Sequence, residues 1–549
     1  MDVMPQQDPE PRQPPEPSPR HPRDVRSPES PQDPTDVRNP QDPQDPTDPT
    51  GVRNPQGPGA LPAEGATAVP PPPPTLRTTL RRAAFGAVAA GVLLAGALVA
   101  VGDGKDEGPR EPGPVERAEA AASAGSPASL SDLTALIGDR QKWVESHPSD
   151  APALATLGTA YVEWARRSAD TAYYARAEEA LKRSLDARPG EHGNEQAWVG
   201  LAALANARHD FVAAKRWGET VKAQQPKTWS VYPVLIDAYT GLGDQKAATA
   251  ATEKFGELRK GVPALARTSE LYRNQGWRED ALATAREAAD RATRPAEKAA
   301  ALHRLGELAW ERGEPEEAVA QFDAALRTDA GHHASLAGRA RALVALDRAP
   351  EALAGYQRAL EQLPRPEYAL ELGELYESLG LDGDARTQYA NLRKMVAGAE
   401  KAGVDESLLL ARFETDHGDP ETAVELLRGQ WRKQHRSAAV ADALGWALHR
   451  AGKSQEGLGY AERAAGTGVR NASYAYHLGV IQRELGDYGP ARRHLEEAVR
   501  TNPAFSPLAA PLARRALEAL GEPPAGGKDR PRRGRTLEAF TRTSSPHDV

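Results

Sequence analysis

A spacing of 34 residues recurs in the C-terminal half of the chain, and no other feature constrains the fold as strongly. Gly445 is followed 34 residues later by Gly479, and Gly452 is followed by Gly486 at the same distance. A fixed period of this length is typical of units made of two helices and a turn, stacked into an array. Because one pair of helices cannot bury its apolar face alone, we expect neighbouring units to share a continuous core.

The residue types within each unit indicate how its two helices meet. Small residues such as Gly306 and Gly373 allow two helices to approach closely, and the rings of Phe322 and Tyr389 would fill the space between them. A glycine after the first helix supplies the left-handed backbone conformation that stops it. We assign this role to Gly313, Gly380, Gly418, Gly452 and Gly486.

This pattern resembles the tetratricopeptide repeat family, whose unit carries a Leu-Gly pair, then Tyr, Gly, Ala, an aromatic residue, Ala and Pro. The last unit matches at Leu478, Gly479, Gly486, Ala491, Leu495, Ala498 and Pro503. The resemblance covers residues 151–505 as about ten units. It implies an all-α fold, a right-handed α-solenoid of helix pairs, with a capping helix from Pro507 to Leu520. In that helix Leu508, Leu512 and Leu517 are predicted to cover the last pair.

Composition divides the chain into segments. Residues 1–74 hold 23 of the 47 prolines and few apolar side chains, so they cannot bury enough surface to fold and are predicted to be disordered. A first helix is predicted to begin at Leu130, with Ser129 or Ser131 as its cap. The remaining segments are a linker over 103–128, the solenoid with its capping helix over 129–520, and a disordered basic tail over 521–549.

The stretch from Ala83 to Gly102 is 20 residues without a charge and is long enough for one transmembrane helix. Arg77, Arg81 and Arg82 precede it, whereas acidic residues dominate the other side. The positive-inside bias therefore predicts a single-pass protein of the cell membrane, with its N-terminus in the cytoplasm and its repeats outside. If translation started at an internal codon, the same stretch would read as a signal peptide, and the protein would be secreted.

Charge and motifs exclude several classes of function. The net charge of −8 argues against a nucleic-acid binder, and the absence of cysteine excludes disulfides, thiol nucleophiles and Cys-based zinc sites. No catalytic or cofactor-binding motif is found, so neither enzymatic activity nor a cofactor is predicted. Gly452-Lys453-Ser454 is interpreted as a turn between helices, not a phosphate-binding loop. The Arg-, Ala- and Gly-rich composition suggests a bacterial, actinobacterial-like genome.

What remains is the surface of the array. In the resembled family the first helix of each unit lines a concave groove that holds peptides or partner helices. When the groove positions of that family are transferred to the repeat register of this chain, the groove residues include Arg273, His303, Glu307, Arg341, Glu374, Glu377, Arg412, Asp442, Trp446, His449, Tyr476 and Arg483. Trp446, His449 and Tyr476 are the best candidate anchors, because aromatic residues are enriched at binding hot spots.

Three hypotheses about function follow from the sequence. The first is a membrane-anchored scaffold that binds protein or peptide partners in its groove. The second is a signalling protein that relays binding through a helix pairing at Ala87, Gly91 and Ala95 to the cytoplasmic proline-rich tail. The third is a secreted soluble binding protein. The sequence does not indicate the partner or the oligomeric state.

Overall fold

The computed structural model describes residues 111–189 and 194–521, and these residues form 23 helices and no strand. The helices are α1 (Pro114–Ala124), α2 (Leu130–Ser146), α3 (Ala151–Ser168), α4 (Ala172–Ala187), α5 (Glu195–Ala207), α6 (Phe211–Gln224), α7 (Val231–Leu242), α8 (Gln245–Leu258), α9 (Val262–Asn274), α10 (Arg278–Arg291), α11 (Pro295–Glu311), α12 (Pro315–Thr328), α13 (His333–Ala345), α14 (Ala349–Gln362), α15 (Pro366–Ser378), α16 (Asp382–Lys401), α17 (Ser407–His417), α18 (Pro420–Arg432), α19 (Ala438–Arg450), α20 (Ser454–Ala465), α21 (Ala472–Glu484), α22 (Tyr488–Thr501) and α23 (Ala509–Ala519). From α3 to α22 they form successive pairs, so the prediction of an all-α solenoid is confirmed.

Several predicted segments lie outside the described residues. They are the tail over 1–74, the span from Ala83 to Gly102 and residues 522–549. Within 111–189 and 194–521, no helix combines the length and the apolar character that a membrane crossing requires. Residues 103–128, predicted as a linker, contain α1. The main-chain nitrogen of Gly113 donates a hydrogen bond to the carboxylate of Glu116, which holds the first turn of this helix.

Helix ends follow the local chemistry of the sequence. Ser129 caps α2 by accepting a hydrogen bond from the main-chain nitrogen of Asp132 at 3.1 Å. Of the five predicted stop glycines, four have positive φ angles: Gly313, Gly380, Gly452 and Gly486. Gly418 does not, since its φ is −144°, and that prediction was wrong. There the carboxylate of Glu414 accepts a hydrogen bond from the main-chain nitrogen of Asp419, so a side chain ends the turn instead.

The two helices of a pair meet where a large ring faces a glycine. A Cβ atom on Gly306 would lie 2.5 Å from Cε1 of Phe322, and one on Gly373 would lie 2.7 Å from Cδ1 of Tyr389. Phe322 also fills the position that a Cβ on Gly338 would take, in the next pair along the chain. The predicted close approach of small and large residues is therefore confirmed, and each ring helps to join adjacent units.

The solenoid winds back on itself, so that turns within early helix pairs touch loops between late ones. The contacts join Arg208 with Asp405, Leu242 with Arg436, Gly276 with Gly468 and Trp310 with Asn502. The partners are 192 residues (Trp310 and Asn502) to 197 residues (Arg208 and Asp405) apart in sequence, or between five and six units. We call this set of contacts the inter-turn seam. It places successive superhelical turns edge to edge.

Hydrogen bonds of ordinary length hold the seam. The main-chain nitrogen of Asp405 donates to the carbonyl oxygen of Arg208 at 3.0 Å, and the side-chain amide of Asn502 donates to the carbonyl oxygen of Trp310 at 2.7 Å. Asp405 also accepts from Gln430 and Lys433, which keeps the pKa of its carboxyl well below the usual range even though burial opposes this. The seam thus joins groups that would otherwise need solvent as a partner.

The C-terminal end of the array differs in detail from the prediction. Helix α23 packs on α22, as expected of a capping helix, through the buried residues Ala513 and Ala516 and the partly buried Leu517. Leu512 is 45% exposed and does not cover the last pair, so its predicted role was wrong. The small side chains face the array because they allow α23 to lie close to it, which turns Leu512 to the outside.

Candidate functional site

The first helices of the pairs line the inner face of the solenoid, and in its C-terminal half this face encloses a cavity of about 450 Å³. Helices α11 to α21 contribute most of the lining, and the segment 502–509 completes it. Seven of the residues selected from the sequence as binding candidates lie there: Arg273, Glu307, Arg341, Glu374, Arg412, Asp442 and Trp446. A cavity of this size falls in the range of ligand-binding sites in proteins.

Charged side chains on the inner face pair between neighbouring units. Arg273 Nη2 lies 2.5 Å from Glu311 Oε1, and His477 Nδ1 lies 3.0 Å from Asp442 Oδ1. Further pairs across neighbouring first helices include Asp237 with Arg267, Glu270 with Arg304, Glu307 with Arg341, Arg341 with Glu371, and Asp416 with Arg450. Most of the positive and negative side chains on the inner face therefore neutralise one another within the protein.

Burial shifts the pKa of some groups in this network. Glu371 accepts a hydrogen bond from the hydroxyl of Tyr356 at 2.8 Å, and burial raises the pKa of its carboxyl although Arg341 opposes this. Sequence reasoning missed Glu371 and His477. A signal was present, because Arg341 and Asp442 have these partners 30 and 35 residues away, close to the length of one unit.

Two of the three predicted anchors, Trp446 and Tyr476, are mostly buried. Trp446 is 7% exposed and Tyr476 is 5% exposed. The indole nitrogen of Trp446 donates to Asp416 Oδ1 at 3.0 Å, and its ring stacks on His477 with centroids 4.4 Å apart. Burial raises the pKa of Tyr476 to about 12. Of the two, only Trp446 lines the cavity, and both contribute to packing between units.

His449 and Arg483 lie beside this aromatic cluster, outside the lining of the cavity. The ring of His449 stacks on Trp446 with centroids 5.0 Å apart, and its Nδ1 lies 2.9 Å from Ser454 Oγ. Burial, with the charge of Arg450, lowers the pKa of His449 to about 4. His449 is therefore neutral at pH 7 and acts as an apolar ring with one hydrogen bond.

A second group of histidines is separate from the cavity. His303 Nδ1 lies 3.3 Å from Ser335 Oγ, and His333 Nδ1 lies 2.8 Å from the hydroxyl of Tyr368. Burial lowers the pKa of His303 well below its usual value and that of His333 to about 4. Over the described ranges, no three His, Cys, Asp or Glu side chains are placed to hold a metal ion. His303 belongs to the packing of α11 against α13, and His333 to the packing of α13 against α15.

His417 is a buried cation held by the two predicted glutamates. Its Nδ1 lies 3.1 Å from Glu377 Oε2, and its Nε2 lies 3.5 Å from Glu374 Oε1. Burial alone would lower its pKa, but hydrogen bonds to both carboxylates and their charges raise the pKa to about 9. The ring also lies 4.6 Å from that of Tyr389. Glu374 and Glu377 therefore have an internal partner at neutral pH.

This arrangement predicts a loss of stability at alkaline pH. The folded-state pKa of His417 is about 9, above its unfolded value of 6.5, so its contribution is complete below pH 6.5 and disappears as the pH rises through 9. Urea denaturation of the wild type is expected to show a lower midpoint at pH 9.5 than at pH 6.5. In His417→Gln this decrease should be much smaller. An equal decrease in both proteins would contradict the ion pair.

One charged residue of the cavity stands apart from the paired network. Arg412 lines the cavity from α17 and is exposed, and it forms no ion pair with any residue in 111–189 or 194–521. A guanidinium group stays protonated at all physiological pH values and can donate two parallel hydrogen bonds to a carboxylate. The cavity therefore presents one positive charge that is available to a ligand.

The geometry defines a class of protein before any relative is considered: an α-solenoid of helix pairs with a cavity on its inner face. The family model for the tetratricopeptide repeat matches residues 299–332 and 472–505, which correspond to α11–α12 and α21–α22. Two helix pairs of the array thus match the tetratricopeptide repeat. No curated protein matches the sequence.

The chain is also similar, at a low level, to several solved structures. A chain of the APC/C hetero-tetramer Cut9-Hcn1 is 14% identical and covers 71% of this chain and 82% of its own, with a TM-score of 0.36. A tetratricopeptide repeat protein from Parabacteroides merdae is 17% identical over 47% of this chain and 98% of its own, with a TM-score of 0.30. The human IFIT1 dimer with PPP-AAAA is 15% identical over 64% and 81%, with a TM-score of 0.38. Scores this low carry no argument about function.

Proposed function

We propose that this protein is a scaffold that binds an extended segment of a partner protein in the cavity of its inner face. The fold is typical of protein-interaction scaffolds, and the observation that carries the proposal is the unpaired Arg412 in a cavity of about 450 Å³. The paired charges around it provide hydrogen-bond groups without a strong net field. The partner segment is therefore expected to carry an acidic side chain or a terminal carboxylate.

The proposal includes display of the array at a membrane, and this part rests on the sequence alone. The uncharged stretch from Ala83 to Gly102 and the arginines before it support a single span with the repeats outside the cell. Protease treatment of intact cells should then degrade the repeats. On the same basis we propose, as the alternative, that binding is signalled to the proline-rich tail, and deletion of residues 1–70 without a change in cellular phenotype would count against it.

The role of Arg412 can be tested by reversing its charge. We expect Arg412→Glu to weaken the binding of acidic peptides, selected from a random library on the wild-type full-length chain, by about tenfold or more, because an attractive contact becomes repulsive. Fluorescence anisotropy of labelled peptides would measure the dissociation constants. Since Arg412 is exposed and unpaired, its replacement is expected to leave the unfolding midpoint nearly unchanged.

The matched control is Arg386→Glu. Arg386 is equally exposed but lies on α16, a second helix that contributes nothing to the cavity lining. This variant alters net charge in the same way and should bind the selected peptides like the wild type. If both variants weaken binding equally, the effect is a general charge effect, and the assignment of the cavity as the binding site is wrong.

A further inference from the structure

A small pocket on the inter-turn seam collects an unusual number of arginines. It lies where the turn between α9 and α10 and the end of α11 meet the loop between α20 and α21, beside the contact of Gly276 with Gly468. Its lining consists of Arg273, Arg278, Leu308, Glu311, Arg312, Val469 and Arg470. Four cations and one anion therefore surround a space of about 10 Å³, room for a single water-sized group.

Three of the four arginines have a carboxylate partner. They pair as Arg273 with Glu311, Arg312 with Glu314, and Arg470 with Glu497 at 3.5 Å. Arg278 has none among the described residues. Its Nη2 donates only to two carbonyl oxygens, that of Glu311 at 3.5 Å and that of Arg470 at 3.4 Å. These two carbonyls belong to different superhelical turns, so Arg278 bridges the seam.

The environment of Arg278 is unfavourable for its charge. Burial, followed by the neighbouring charge of Arg470, lowers the pKa of Arg278, and Glu311 does not compensate. Even so, an arginine remains protonated in proteins, so the positive charge persists in a partly buried place. A cation removed from water without a countercharge destabilises the folded state. An anion in the pocket would relieve this cost.

We propose that this pocket binds a phosphate-type oxyanion, which links two successive turns of the superhelix. One oxygen would enter the pocket between Arg278 and Arg470. The rest of the anion would face the inner cavity, whose lining shares Arg273, Glu311 and Arg470 with the pocket. Guanidinium groups match tetrahedral oxyanions because their N–H groups donate in parallel pairs. Binding of this kind joins α9–α11 to the loop before α21 and stabilises the closed solenoid. The proposal does not depend on Arg412 or on peptide binding.

The test measures thermal unfolding of the full-length chain in potassium phosphate and in potassium chloride of equal ionic strength at pH 7.5. We expect phosphate to raise the Tm of the wild type by several degrees in a saturable way. Phosphate also stabilises folded proteins non-specifically. The variants therefore distinguish a specific rise in Tm from this general effect. In Arg278→Gln the specific rise should be lost, and its Tm in chloride should equal or exceed that of the wild type because an uncompensated charge is gone.

Two further variants complete the design. Arg470→Gln should also lose the rise, whereas Arg348→Gln should keep it, because Arg348 is exposed, pairs with Glu351 and does not line the pocket. O-phosphoserine serves as a second probe. A rise at lower concentration than with inorganic phosphate assigns the site to a phosphate group on a larger ligand, and the reverse order assigns it to the free ion. An equal rise in the wild type and Arg278→Gln would overturn the proposal.

Discussion

Replacement of Trp446 by alanine is expected to lower the free energy of unfolding by about 3–5 kcal/mol, the range for removal of a large buried aromatic side chain. Trp446 is 7% exposed, stacks between His449 and His477, and donates a hydrogen bond to Asp416. Its loss would leave a void between units and a carboxylate without one of its donors. Urea denaturation followed by far-UV circular dichroism would measure the change.

The chain offers a matched control in Trp277. That side chain is 53% exposed, so Trp277→Ala should change the free energy of unfolding by about 0.5 kcal/mol or less. Similar effects of both substitutions would show that Trp446 is not part of the core. If the prediction holds, a loss of partner binding in Trp446→Ala would have two causes, namely the lower stability of the fold and the loss of a direct contact with the partner. Arg412 is then the better probe of the site.

The second large effect is expected at the inter-turn seam. Gly243 has a φ of +74°, and an added Cβ would overlap the carbonyl group of Arg436 and lie 2.9 Å from the main-chain nitrogen of Ser437. Because main-chain atoms cannot move aside like a flexible side chain, Gly243→Ala should combine backbone strain with overpacking. We expect a loss of roughly 3 kcal/mol in the free energy of unfolding. Small-angle X-ray scattering should show a larger radius of gyration if the seam opens.

A substitution at Gly452 distinguishes backbone strain from overpacking. Its φ is also +74°, and no atom lies within 4 Å of the position that its Cβ would take. Gly452→Ala therefore carries only the backbone cost of about 1 kcal/mol. The difference in the free energy of unfolding between Gly243→Ala and Gly452→Ala therefore measures the effect of the close contact at the inter-turn seam. If Gly243→Ala and Gly452→Ala destabilise the protein equally, the close contact with Arg436 contributes nothing.

Much of the architecture could be predicted from the sequence because it depends on local chemistry. The 34-residue period indicates paired helices, Ser129 caps α2, and Gly313 ends α11, since each requires only nearby residues. Gly418 was misjudged because the side chain of Glu414, one helical turn earlier, replaces the left-handed glycine. Helix α1 was missed because its glycine- and proline-rich flanks resemble those of a linker.

The site was predictable only in part. The register correctly places Glu307, Arg341 and Glu374 on the inner face, because position within a unit determines which way a side chain faces. The seam was not predictable, since it depends on small rotations between units that accumulate over almost 200 residues. Without the seam, neither the enclosed cavity nor the arginine pocket around Arg278 can be inferred from sequence spacing.

The seam also has a consequence for how the protein is made. Arg208 cannot meet Asp405 until the ribosome has synthesised a further 197 residues. At a typical rate of about 5–20 residues per second, the early half of the solenoid waits on the order of 10–40 s with that edge uncovered. During this interval the nascent chain exposes main-chain groups that are satisfied in the finished protein. Until the second half emerges, water is the hydrogen-bond partner of these groups.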